Sequence, residues 1–133
     1  MENRYLYRGK RIDNGEWVVG HFYEFMGKSY IFEPPFTSKA LTYEVEPSTI
    51  CQCTGLKDKN DKQIFENDIV SYWDSYSTEN GLAEADCIGK VVWDDETISF
   101  QVANRLSAES WEVLDDECSV VGNAIDNPEL LEV

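Results

Sequence analysis

The stretch TGLKDKNDKQIFENDIV, Thr54 to Val70, decides the fold. Two apolar ends are joined by the polar loop Lys57-Asp58-Lys59-Asn60-Asp61-Lys62. Asn60 and Asp61 tolerate the left-handed backbone region better than most non-glycine residues. The loop therefore reads as a hairpin connection between two strands. Glu66-Asn67-Asp68 forms a second corner. Asn67 suits a positive φ there, and the Asp68 carboxylate is placed to accept nearby backbone N–H groups. Ile69, Val70, Tyr72 and Trp73 then suit a pleated, half-buried surface. A turn role for Asp68 is favoured over acidic catalysis, because a perturbed carboxylate needs charged or buried partners that the local sequence does not supply.

Towards the N-terminus, strand and turn signals alternate. Arg4 to Arg8 sets Tyr5 and Tyr7 against a basic face, and Arg4, Arg8, Lys10 and Arg11 together form the candidate partner-binding surface. Asp13-Asn14-Gly15 is a turn, followed by a strand from Glu16 to Phe25 in which Gly20 marks a bulge or a close packing contact. The lone His21 reads as a satisfied strand residue. A turn at Gly27-Lys28 leads into a short strand, Ser29 to Phe32, which Pro34-Pro35 stops. A surface loop to Ala40, a strand Leu41 to Val45 and a further run Thr49 to Thr54 lead into the central stretch.

Towards the C-terminus, Asp74 to Gly81 lacks periodicity and reads as a long loop, with a helical turn at Leu82 to Asp86. Ile88 to Trp93 and Ile98 to Val102 form a hairpin across Asp94-Asp95-Glu96-Thr97, with Ile98, Phe100 and Val102 on one face. Asn104 to Ser110 reads as a loop and Trp111 to Leu114 as a short strand with Trp111 and Val113 inward. Cys118 to Ala124 is the last strand. Asn127-Pro128-Glu129 starts a short helix, with Asn127 as cap and Pro128 at its first position. No sequence repeat or inter-domain linker is evident, so a single domain over 1–133 is expected.

The 133 residues carry a formal charge of −15, placed unevenly. Residues 1–70 hold nine Lys/Arg and eleven Asp/Glu; residues 71–133 hold two and fifteen. Binding to nucleic-acid phosphates runs on basic patches, so no direct nucleic-acid partner is expected. A hydrophobic content of 42% with seventeen aromatics excludes a disordered chain. No run approaches the roughly 18 apolar residues of a membrane span, and no secretory signal is visible, so a cytoplasmic protein is expected. Cys51 and Cys53 alternate on one strand face, but their spacing is not that of a zinc site. They and Cys87 and Cys118 read as reduced, half-buried thiols. Asp94-Asp95-Glu96 and Asp115-Asp116-Glu117 read as solvated acids, since hard cations need several converging oxygens. Neither a metal nor another cofactor is expected, and no triad, P-loop or metal motif points to catalytic residues.

One further reading rests on resemblance. Arg8-Gly9-Lys10, Gly15 to Gly20, Thr54-Gly55-Leu56-Lys57-Asp58, Ile64 to Val70, Gly89-Lys90-Val91, Val121-Gly122-Asn123 and Asn127-Pro128-Glu129-Leu130-Leu131, in that order, resemble the YopX family of bacteriophage- and prophage-associated proteins. Gly55, Asp58, Asn67, Asp68, Gly122 and Pro128 are its structural positions here. Members of the family usually have glycine where this chain has Asp61 and Asn67, both of which suit turns. The resemblance implies a mostly β fold in a bacterial host, with self-association, and it brings no catalytic residues.

The fold expected is all-β: a mostly antiparallel, strongly bent sheet or small barrel, SH3-like in part, with a short C-terminal helical turn. The function expected is that of a phage-associated accessory or structural protein acting through self-assembly, as a homo-oligomer, and through contacts with phage or host proteins. The competing readings are an acidic nucleic-acid mimic that inhibits a host protein, and an enzyme.

Overall fold

A computed structural model describes residues 6–33, 42–104, 110–112 and 117–132; the side chains of 74–78, 82–86 and 110–112 lie outside the description. Several expectations also fall outside it: Arg4 and Tyr5, the loop from Pro34 to Ala40, Leu41, the 105–109 loop, the inward Trp111 and Val113, and Asp115-Asp116. The remainder is β-structure throughout, with antiparallel pairing in both sheets and two short 3-10 turns. The all-β expectation holds. The chain divides into two compact units, Met1–Gly55 and Leu56–Val133.

Unit 1 is built from β1 (Tyr7–Lys10), β2 (Trp17–Phe25), β3 (Lys28–Phe32), β4 (Thr42–Val45) and β5 (Cys51–Lys57), within which the boundary falls. Its strands lie in the order β4-β3-β2-β1-β5. The turn at Asp13-Asn14-Gly15 forms as expected, with Gly15 at φ +71° and its N–H donating to the Arg11 carbonyl. The next turn is one residue earlier than expected, at Met26-Gly27. Both residues have positive φ, as a two-residue hairpin whose twist matches its strands requires. The far edge does not stay open. Arg11 bridges Val45, Ile12 N–H donates to the Glu44 carbonyl, and Glu46 N–H donates to the Lys10 carbonyl. The sheet thereby curls into a small barrel around Val18, Ile31 and Val45, with Tyr7, Phe22, Tyr43 and Ile50 packed against them. Gly20 is a close-packing glycine: a Cβ there would overlap the Phe32 carbonyl oxygen.

Unit 2 holds β6 (Gln63–Phe65), β7 (Asp68–Thr78), β8 (Gly81–Asp94), β9 (Ser99–Asn104), β10 (Ser110–Glu112) and β11 (Ser119–Asn123). Its sheet runs β10-β9-β8-β7-β11. The core is Ile64, Val70, Tyr72, Val91, Val102 and Cys118. The expected long loop at 74–81 and helical turn at 82–86 are corrected here. Both belong to a continuous hairpin, in register from Ile69↔Lys90 to Thr78↔Gly81. Ile98 is also corrected. It is not on the face of Phe100 and Val102 but in the turn itself, at φ +53° and exposed. Pro128–Leu131 is a 3-10 turn with Pro128 at its start. Asn127 does not cap it through its side chain, which turns back to accept Asn123 N–H at 3.2 Å.

Counted from β7, the five-stranded sheet of unit 2 reads fourth, third, second, first, fifth, the order in which the five strands of unit 1 also lie. The sequence shows no repeat, yet the topology repeats. The β2–β3 hairpin of unit 1 thus corresponds to the β8–β9 hairpin of unit 2.

Candidate functional site

The central stretch forms a structural clamp. Asp58 is buried at the end of the β5–β6 hairpin. Asn60 and Lys62 N–H groups donate to its Oδ1, and Val120 N–H donates to its Oδ2, all at 2.9 Å. Burial pushes this carboxyl up, but the N–H groups of Val120, Lys62 and Asn60, with the Lys62 charge, outweigh it and hold the group below the usual aspartate range. Asp61 and Asn67 sit at φ +66° and +71°. Asn67 is tied at both backbone groups: its N–H donates to Val91 O, and its carbonyl accepts Ala124 N–H, both at 2.8 Å. Asp68 is buried and accepts Phe65 N–H at 2.8 Å across the corner. Gly55 has φ +84°. Gly122 follows a register shift in β11, where a Cβ would meet Asn127 Oδ1 at 2.7 Å. Pro128 begins the closing 3-10 turn.

The basic residues lie elsewhere. Arg8 is buried, with its guanidinium 4.7 Å from the Trp17 ring centre; Lys10 Nζ is 5.5 Å from the same ring. Arg11 forks onto Asp13 through Nε and Nη2 at 2.9 and 2.6 Å and lies 4.3 Å over Tyr43. The hydrogen bond to Asp13 raises the Arg11 pKa and lowers that of Asp13. Arg11, Ile12, Asp13, Thr42, Tyr43 and Glu44 line a cleft of about 210 Å³. Small-molecule sites are typically ~300–1,000 Å³.

A larger feature is the outward face of the unit 1 barrel. Register places Arg8 opposite Val19, Lys10 opposite Trp17, His21 opposite Phe32, Tyr23 opposite Tyr30, and Phe25 opposite Lys28. These residues share the face away from Val18 and Ile31. The rings of Tyr23 and Tyr30 stack at 5.2 Å, those of His21 and Phe32 stack at 5.6 Å, and Tyr23 meets Phe32 at 5.7 Å. Exposure rises towards the hairpin end: Tyr23 is 39% exposed, Phe25 59% and Met26 86%. Sequence reading missed this surface. Its signal is visible in Trp17 to Phe25, where apolar and aromatic residues occupy both parities of one strand, more than one core face requires.

All four cysteines are free thiols, and Cys51, Cys53 and Cys118 are buried. Among the described residues, no three His, Cys, Asp or Glu side chains converge as a metal site would need. No described helix is long and apolar enough to cross a membrane.

No curated protein matches the chain. The family model described as YopX protein matches residues 6–132, a span that takes in both units, the Asp58 clamp and the closing 3-10 turn. With nearly its whole length matched, the chain belongs to the YopX family.

Proposed function

We propose that this chain is an accessory or structural component that acts by self-assembly and protein contact, with the outward β2–β3 face of unit 1 as its contact surface. Membership of the YopX family fits a phage-associated role of this kind. The observation that carries the proposal is the contiguous run of Tyr23, Phe25 and Met26, all exposed on one barrel. Single exposed apolar residues need no explanation, but a contiguous patch marks a contact site. Cations at its border, Lys10 on β1 and Lys28 on β3, suit a rim around an apolar centre. Of the basic residues expected to take part, Lys10 borders this face and Arg8 is buried beneath it, whereas Arg11 lies over Tyr43 and Arg4 is outside the described residues.

Sedimentation velocity across a concentration series tests this. Wild type should associate, and Phe25→Glu should shift the distribution to monomer while melting at nearly the same temperature, since Phe25 is exposed. Association unaffected by Phe25→Glu would remove this face from the account.

A further inference from the structure

We infer that copies of this chain join head to tail, the β8–β9 tip of one seating on the β2–β3 end of the next. This deepens the protein-contact reading above and rests on it. Three observations lead to it.

The first is a shared anomaly. Met26 and Ile98 are the large apolar residues with positive φ among the described residues, at +52° and +53°. L-residues avoid this region, and β-branched ones most of all. Both sit in the turns of topologically corresponding hairpins, and both are far exposed, at 86% and 75%. Each therefore bears a backbone cost and an exposure cost that a polar turn residue or glycine would avoid. Strain kept at an exposed position points to use there.

The second is that each tip carries an aromatic partner. Phe25 precedes Met26. Trp93 is 42% exposed and packs edge-on against Phe100 at 5.0 Å beside the Ile98 turn. Each end thus presents an apolar residue and a ring, the composition of an anchor at an interface centre.

The third is charge, which sets the acidic tip against an end other than a second tip. The β8–β9 turn carries Asp94, Asp95 and Glu96 and no base. Asp94 and Asp95 brace the turn: Asp94 accepts Glu96 N–H and Thr97 O–H, and Asp95 accepts Trp93 Nε1–H at 2.7 Å. Glu96 is exposed. At the β2–β3 end Glu24 and Lys28, both exposed, offset each other, while Lys10 pairs with Trp17 at the far end of β2 and Arg8 is buried. Two acidic tips facing each other would repel; the mixed pairing avoids this and sets Glu96 towards Lys28. Because the two surfaces differ, each joined copy still offers one of each. Assembly then continues into a filament or closes as a ring.

Two complementary variants test the arrangement. Met26→Asp spoils the β2–β3 end but leaves the β8–β9 tip; Ile98→Asp does the reverse. Each alone should sediment as monomer, and an equimolar mixture should give a 1:1 dimer and nothing larger. Ile98→Gly is the folding control. It should melt above wild type, because the strain is gone, yet behave like Ile98→Asp in assembly and in the mixture. If wild type assembles and the mixtures stay monomeric, the head-to-tail pairing is overturned while the contact reading stands. If wild type is monomeric at every concentration, both fall.

Discussion

Asp58 illustrates how one side chain fixes several segments. Its carboxylate holds Asn60, Lys62 and Val120 through their N–H groups, so residues far apart in sequence depend on one charge. Hydrogen bonds to a charged group contribute about 1.5–3 kcal/mol each, and removing part of such a buried set costs a similar amount. Asp58→Asn should therefore destabilise by about 2 kcal/mol or more at neutral pH. The pH dependence has a definite sign. The folded carboxyl lies below its unfolded value of about 3.9, so its contribution is complete above that value and is lost as pH falls through the folded pKa. The gap between wild type and variant, measured by urea unfolding, should stay flat from pH 7 to about 5 and narrow below about 4. A second prediction concerns backbone conformation. Asn67 at φ +71° should tolerate glycine, whereas Asn67→Ala should cost about 1 kcal/mol, and Ile98→Gly should gain a comparable amount. Equal stability of all three with wild type would show that these φ values carry no strain. The left-handed residues at Asp61 and Asn67 were legible because Asp and Asn favour that region. Those at Met26 and Ile98 were not, because turn chemistry predicts against them.

At the scale of elements, the hairpins are held by backbone ladders whose continuity outruns their sequence signal. Ile69 to Trp73 and Ile88 to Trp93 read as strands because β-branched and aromatic residues alternate there. Residues 74–86 do not, being rich in Ser, Asp and Glu, yet the ladder continues through them to the Glu79-Asn80 turn, where Gly81 takes φ +109°. Once two strands are in register, each further pair adds bonds without new loop closure, so propensity loses to neighbouring structure. The same tertiary override placed Ile98 in a turn. Gly20 was read correctly as a bulge or a close contact, and the structure selects the contact, since its register with Tyr7 is unbroken. Gly20→Ala should destabilise by about 2 kcal/mol or more, because the obstacle is the rigid Phe32 carbonyl of the paired strand. Thermal denaturation checks this; a loss under about 0.5 kcal/mol would mean that β3 yields.

Over the whole chain, the strand-and-turn alternation carried the all-β fold, and the Thr54–Val70 stretch located the clamp. The division into two units with one repeated strand order was hidden, because order in a sheet depends on pairings between distant strands that local pattern does not specify. The candidate surface was only half legible. The basic residues stood out as a run, but the aromatic face depends on which parity points outward, and only the barrel decides that. Net charge adds a prediction. Copies of charge −15 repel at long range, while exposed ion pairs contribute about 0–1 kcal/mol each. Added salt screens the repulsion over about 8–10 Å. Association should thus tighten with moderate salt, with charge setting orientation and apolar contact setting strength. Weakening in salt by light scattering would reverse that division of labour.

The most direct measurement is hydrogen exchange of the wild-type chain at low and high protein concentration. Assembly through the two corresponding hairpins predicts concentration-dependent protection concentrated around residues 22–31 and 92–101, with the Asp58 clamp unchanged. Protection gained elsewhere, or at neither hairpin, would contradict the account.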